Sequence, residues 1–466
     1  MSSRIALAQV SDNTVLPLQT FKNETRFSDQ FGDLIVKQNA AIPSPTLDEL
    51  SESTIKNRTR EATLSFLNRE LSQDTKPQYN LATFVTTSME PEAISLMTEN
   101  LSKNFVDARA YPATAQIEKR CLKSLARLYH APNAAVADPV GVSTLGSSEA
   151  IILAVLAMKA KWVSRQGQGP KPKPNIIISS VAQVCWKKAA RYCEVDVQYV
   201  PCSDGRYVID PLQAVDLVNE GTIGICCILG TTYTGEYEDV QGVNDLLLQR
   251  GLDVPIHVDA ASGGFVAPFI SPSLKWDFRL ERVASINVSG HKYGQVYAGI
   301  GWAIWRSASE LPHDLVFHLS YLGEMQSSFT LNFSKSSSHV IAQYYQFLRL
   351  GKPGYRKITQ QIINVATHVA SALSSLGFIL LSQPDGHRGI PVVAFRTNRS
   401  RHRVLDEFDL SSKLEEKGWQ VPAYYMPDPD KETGEKLSLL RVVCRVDFTG
   451  ALCEKFIGDL RAVVGL

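Results

Sequence analysis

Six short apolar runs, at residues 176–180, 195–200, 223–229, 255–258, 285–288 and 301–305, constrain the fold of this chain more than any other feature. Runs such as 176–180 and 223–229 are near-continuously apolar, and stretches of helical pattern lie between the runs. Strands covered on both faces read this way, and parallel strands joined by helical crossovers are covered on both faces. The pattern predicts an α/β fold built on a mostly parallel, mixed sheet. In such sheets a ligand site lies beyond the carboxyl ends of the strands.

With 466 residues, 44% of them apolar, the chain can bury a large core and is long enough for more than one domain. Residues 1–78 differ from the rest. Ser, Thr, Asn and charged residues dominate there, prolines stand at 17, 43 and 45, and a weak helical pattern covers 59–71. This composition predicts an N-terminal arm whose first part is disordered. Residues 79–352 read as a large domain, with a helix over 150–163. Helical patterns at 341–350 and 357–376 are separated by Gly351 and Pro353, which act as stop signals. Residues 353–466 mix short strands and helices and read as a smaller C-terminal α/β domain.

Lysine plus arginine number 48 and aspartate plus glutamate 47, a net charge of +1. No whole-chain field draws this protein to nucleic acid or to an anionic membrane, so small molecules and further copies of the chain are the expected partners. The eight cysteines form no C-x-x-C pair and several lie in apolar runs, which predicts reduced, buried thiols and no metal site. The first residues carry no basic-then-apolar signal pattern, and the expected location is the cytoplasm.

Two of the apolar runs end in reactive groups. Asp259 lies in H-V-D-A-A-S-G-G-F, which begins at His257, and Lys292 in S-I-N-V-S-G-H-K-Y-G, which begins at Ser285. Alone, Asp259 reads equally as a helix cap and Lys292 as a surface lysine. Together, a lysine and a carboxylate at successive strand ends are what pyridoxal phosphate needs. The amine holds the cofactor's aldehyde as a Schiff base, and the carboxylate keeps the ring nitrogen protonated. Strand alternation puts His257 on the same face as Asp259; it reads as a satisfied core histidine without an assigned role. Gly146-Ser147-Ser148-Glu149 opens a helix and offers backbone N–H groups and hydroxyls to a phosphate, although the tetrapeptide alone reads as an N-cap. Ser289 and His291 flank the lysine and add further phosphate contacts.

With these residues assembled, the chain resembles the pyridoxal-phosphate-dependent glutamate decarboxylases of bacteria, fungi and plants. The resemblance spans roughly residues 60–450 and rests on an ordered series of motifs: N-L-A-T-F from Asn80, G-S-S-E-A from Gly146, Q-V-C-W from Gln183, T-Y-T-G from Thr232, the two segments above, F-T-L-N-F-S from Phe329 and V-I-A-Q-Y-Y from Val340. It implies an aspartate-aminotransferase-type fold, a homodimer or larger assembly with sites shared between subunits, and decarboxylation of L-glutamate to 4-aminobutanoate. By the same resemblance Lys292 is the Schiff-base lysine and Asp259 its pyridinium partner. Ser147, Ser148, Ser289 and His291 match phosphate ligands, with Ser334 reaching in from the neighbouring subunit. Gln183 matches a residue stacked on the ring and Thr232 one touching its substituents. Thr83, Phe84 (through its backbone N–H), Asn104 and Asp107 match the cradle for the distal carboxylate, where Asp107 accepts a second carboxyl only by sharing a proton. Arg441 matches the arginine for the α-carboxylate, with Arg445 as the alternative in a shifted register. Tyr321 matches the residue that reprotonates Cα.

The resemblance breaks in the flap, where Ser320, Glu324, Met325, Ser327 and Ser328 depart from the family pattern, and after the lysine at Gln295 and Ala298. Two other readings follow from this departure. One is a decarboxylase for a different acidic or secondary-metabolite amino acid. The other is a silent paralogue retained for binding.

Overall fold

The structure is a computed structural model that describes residues 59–132, 134, 138–167, 171–203, 205–319, 326–401, 405–429 and 436–465. The chain divides into two compact units, Met1–Gln73 and Asp74–Leu466. In the first, the described element is the helix Arg60–Leu71, where the sequence places its helical pattern. Thr59 caps it, Oγ1 accepting from Ala62 N at 3.1 Å, and Glu61 and Arg69 sit at the ends where the helix dipole favours their charges.

The second unit is organised by a seven-stranded sheet. Its strands are β1 (Val140–Thr144), β2 (Asn175–Ser179), β3 (Asp196–Val200), β4 (Thr222–Ile228), β5 (Ile256–Asp259), β6 (Val283–Val288) and β7 (Gly301–Trp305). Their order is β1-β7-β6-β5-β4-β2-β3. The pairs from β3 to β6 are parallel, whereas β7 runs antiparallel to both β6 and β1. The six apolar runs thus become β2 to β7, and the sheet is mixed. The seventh strand, β1, is not among those the apolar pattern predicts. Its V-G-V-S-T sequence is half polar, and Gly141 is required because a Cβ there would meet Ala303 O at 2.7 Å.

Alternation along β2 and β4 feeds two separate cores, as strands covered on both faces must. Ile177, Ile225 and Cys227 pack into one; Ile176, Ile178, Cys226 and Ile228 pack into the other against Ile151, Val155 and Met158 of the helix Ser147–Ser164. All eight cysteines are buried, and none forms a disulfide.

The helical segment Ser338–Ser375 is two helices, broken where Gly351 takes φ 54°, ψ −174°. That backbone is open to glycine, and Pro353 then starts the second helix. A four-stranded antiparallel sheet follows, with order Ile379–Leu380, Val392–Arg396, Lys436–Val443 and Ala423–Pro429. Among the described residues no helix is long and apolar enough to cross a membrane.

Candidate active site

The parallel register of β5 and β6 sets Asp259 beside Asn287, and His257 beside Ser285. Asp259 ends β5 and is buried. Its Oδ1 accepts from Ala261 N at 3.1 Å and from Asn287 Nδ2 at 2.9 Å, and its Oδ2 accepts from Trp186 Nε1 at 2.9 Å. The carboxylate is therefore held by a turn, a neighbouring strand and the helix Val184–Tyr192.

Lys292 follows β6 in a turn whose position is fixed by Thr86, which donates from Oγ1 to the Lys292 carbonyl at 2.6 Å. The half-buried lysine donates from Nζ to Ser262 Oγ at 3.2 Å and lies 5.2 Å from the centre of the Phe84 ring. Burial lowers its pKa; Asp259 and Cys185 push it back up, and the Arg441 guanidinium lowers it further. A lysine so placed offers its free amine at lower pH than a solvated one.

The helix Ser147–Ser164 starts at Gly146 with no side-chain cap on its first N–H groups. Ser147 Oγ and Ser289 Oγ are 2.8 Å apart and buried, while Ser148 is exposed. His291 closes the cluster, and a Cβ on Gly146 would come within 2.7 Å of its Cε1. Burial, Lys292 and His339 depress His291 to about 4, so its ring is neutral at pH 7. Nδ1 accepts from Gly299 N and Ile300 N at 3.4 and 3.3 Å. The remaining Nε2–H is a donor, and an uncapped helix terminus with hydroxyls and one imidazole N–H is an anion site.

Arg441 is buried, donating to the Thr232 carbonyl and, at 2.8 Å, to the Ala82 carbonyl; its guanidinium carbon lies 4.7 Å from the Phe84 ring centre. Phe84 thus carries Lys292 and Arg441 on one ring. Arg441 Nε is buried without a hydrogen-bond partner. Arg445 is committed elsewhere, to the carbonyls of Asn80, Thr83 and Pro77 and to Asp447. Thr83 Oγ1 accepts from Val85 N at 3.1 Å.

Other expected residues gather elsewhere. Asn104 donates from Nδ2 to Ser334 Oγ at 3.4 Å and accepts from Lys335 N at 3.3 Å, and Asp107 donates from its backbone N to the Asn104 carbonyl at 3.2 Å. Among the described residues no hydrogen bond joins this group to Lys292 or Asp259. Gln183 is exposed and caps its helix, Oε1 accepting from Cys185 N at 2.6 Å. Tyr321, with Ser320, Glu324 and Met325, lies outside the described residues; Ser327 and Ser328 fall in the strand Gln326–Ser328.

Three residues at the site escape sequence reasoning: Trp186, Asn287 and Ser262. Asn287 carried a signal, since it lies two residues from Ser285 on the strand before the lysine, but its partner is set by strand register. The residues present fit pyridoxal phosphate. An amine with a lowered pKa, a buried carboxylate, an uncapped helix terminus and an arginine with a free buried N–H match the cofactor's aldehyde, ring nitrogen and phosphate, and a substrate carboxylate.

Comparison with known proteins agrees with this chemistry. The pyridoxal-dependent decarboxylase conserved domain matches residues 61–398. A glutamate decarboxylase of Petunia hybrida is 48% identical over 412 residues, 87% of this chain and 81% of that one. Glutamate decarboxylase beta of Listeria monocytogenes is 43% identical over 405 residues, 85% of each. The solved Lactobacillus brevis glutamate decarboxylase superposes with a TM-score of 0.83 at 41% identity, covering 91% of this chain and 95% of that one. The aspartate-aminotransferase-like α/β fold and the need for pyridoxal phosphate follow. The chain belongs to the pyridoxal-dependent decarboxylase family and is a pyridoxal-phosphate-dependent amino-acid decarboxylase.

Proposed function

We propose that this chain removes the α-carboxylate of L-glutamate as carbon dioxide, leaving 4-aminobutanoate. The observation that carries this reading is the 48% identity over 412 residues to a glutamate decarboxylase. Bound pyridoxal phosphate supplies the sink for the electron pair released as the bond from Cα to the carboxylate breaks. Lys292 would hold the cofactor aldehyde. Asp259 holds the proton on the ring nitrogen. Ser147, Ser148, Ser289 and His291 would bind the phosphate, Gln183 would stack on the ring and Thr232 would contact its substituents. Arg441 orients the α-carboxylate, its unpartnered Nε being a donor that burial makes costly to leave unpaired.

Thr83, the Phe84 backbone N–H, Asn104 and Asp107 bind the distal carboxylate, with Asp107 sharing a proton. Tyr321 returns a proton to Cα, a role resting on the resemblance alone. Orientation by these groups supplies much of the barrier lowering.

The assembly we propose is a homodimer or larger homo-oligomer in which Asn104, Asp107 and Ser334 serve the site of a second copy. Its support is that Asn104, Asp107 and Ser334 hydrogen-bond among themselves while, among the described residues, none of them bonds to Lys292. The near-zero net charge favours small-molecule and self partners over nucleic acid or membrane, and eight cysteines without a disulfide favour the cytoplasm. The proposed division is an arm at 1–78, a cofactor domain at 79–352 and a small domain at 353–466, the last boundary supported by the break at Gly351.

The test is release of carbon dioxide from a panel of amino acids by the purified protein with added pyridoxal phosphate. Glutamate is expected to be the preferred substrate, with 4-aminobutanoate in equal amount. Preference for another acid, or no release from any, would overturn the reading.

A further inference from the structure

His257 is fully buried, at the centre of β5, and each of its ring nitrogens is engaged. Nδ1 lies 2.7 Å from Ser285 Oγ and Nε2 lies 2.7 Å from Asn287 Oδ1. The amide of Asn287 then reaches on to Asp259, 2.9 Å from Nδ2 to Oδ1. The direction of every bond in this chain is fixed by one end. The Asp259 carboxylate is offered a donor, so the Asn287 NH2 must face it and the Asn287 oxygen must face the histidine. An oxygen can only accept, so Nε2 must carry the proton. Burial lowers the His257 pKa, which keeps the imidazole neutral and leaves Nδ1 as the acceptor for the Ser285 hydroxyl. Trp186 packs edge-on to the imidazole, ring centres 5.5 Å apart, and places its own N–H on the other Asp259 oxygen.

We propose that His257 is a positioning residue for Asp259, acting through Asn287. The Ser285 hydroxyl donates to Nδ1 and so supports the Nε2–H tautomer, that tautomer holds the Asn287 amide in one of its two flip states, and the amide fixes Asp259 Oδ1. Were the amide free to flip, its oxygen would face the carboxylate, a contact between two acceptors in a buried site. The lock leaves the remaining acceptor capacity of Asp259 to the cofactor's ring nitrogen. This inference rests on the proposed role of Asp259, and it assigns a function to a histidine that is otherwise only a satisfied core residue.

The experiment compares wild type with His257→Leu, which removes the donor, His257→Gln, whose amide can still donate toward Asn287, and Ser285→Ala, which removes only the hydroxyl that supports Nδ1. Each is purified and tested for its melting temperature, the dissociation constant of pyridoxal phosphate, the visible circular dichroism of the bound cofactor, and kcat and KM for glutamate. His257→Leu is expected to weaken cofactor binding and lower kcat about tenfold each, the scale of one lost buried hydrogen bond. KM should stay within about twofold, and the visible dichroism should change because the ring is held differently. His257→Gln should recover most of each loss, and Ser285→Ala should show a smaller loss in the same sense.

Unchanged dichroism and cofactor affinity in a folded His257→Leu protein would overturn the proposal. So would losses that follow melting temperature alone and are not recovered by glutamine. If His257→Leu does not fold, Ser285→Ala decides: wild-type dichroism and affinity in that variant count against the lock. A wild-type protein that neither binds the cofactor nor decarboxylates glutamate defeats the functional reading itself, whereas an active wild type with indifferent variants defeats only this inference.

Discussion

Trp186 donates its indole N–H to Asp259 Oδ2 at 2.9 Å, joining the helix that follows β2 to the end of β5. Both residues are buried, so neither can exchange this bond for one to water. The indole is thus part of the apparatus that holds the carboxylate, although nothing in its own segment, Q-V-C-W, reveals a partner seventy-three residues away.

Trp186→Phe keeps an aromatic ring and removes the donor. A hydrogen bond to a charged group contributes about 1.5–3 kcal/mol, so the dissociation constant of pyridoxal phosphate should rise about tenfold or more. Fluorescence or absorbance titration of the apoprotein measures it. A value within twofold of wild type would mean that the indole N–H does not hold Asp259.

Gly146 stands where the chain enters the helix Ser147–Ser164, and a Cβ there would meet His291 Cε1 at 2.7 Å. Gly146→Ala should displace His291 from the helix terminus and weaken cofactor binding about tenfold or more. The backbone at Gly146 has φ 158°, which strains any side chain, so the apoprotein's melting temperature should fall as well. Wild-type cofactor affinity in the folded variant would argue against His291 as part of the phosphate site.

Glu238 is fully enclosed, its carboxylate accepting from Ile209 N at 3.1 Å and Ile228 N at 2.7 Å. Burial is the main cause that raises its pKa from 4.5 to about 8, with those backbone bonds opposing the rise. A carboxyl whose folded pKa exceeds its unfolded one adds stability that is fully present below about pH 4.5. That stability is lost as pH rises through about 8. Thermal melts of wild type and Glu238→Gln from pH 5 to 9 should therefore show a steeper fall in the wild type. Parallel curves would contradict the assignment.

The sequence makes some of this legible because local chemistry carries it. The runs that become β2 and β4 to β7 are buried along their whole length, whereas the edge strand β3 is exposed at Asp196 and Tyr199, and the break at Gly351 is written in Gly-Lys-Pro-Gly. Asp259 and Lys292 are visible because each ends an apolar strand in a short polar motif. By contrast β1 is hidden, since V-G-V-S-T carries too little apolar signal and belongs to the sheet only through its pairing with β7. The same holds within the site. The links of Asp259 to Asn287 and of His257 to Ser285 depend on the register between β5 and β6, a relation between segments that neither segment encodes alone.

The central claim is that Lys292 is the residue that carries the cofactor, and reductive trapping tests it most directly. Purified protein loaded with pyridoxal phosphate is treated with borohydride, digested, and its peptides are analysed by mass spectrometry. The account predicts one stoichiometric phosphopyridoxyl adduct, on Lys292, and none at that position in Lys292→Ala. An adduct on another lysine, or wild-type protein that takes up no label, would contradict it.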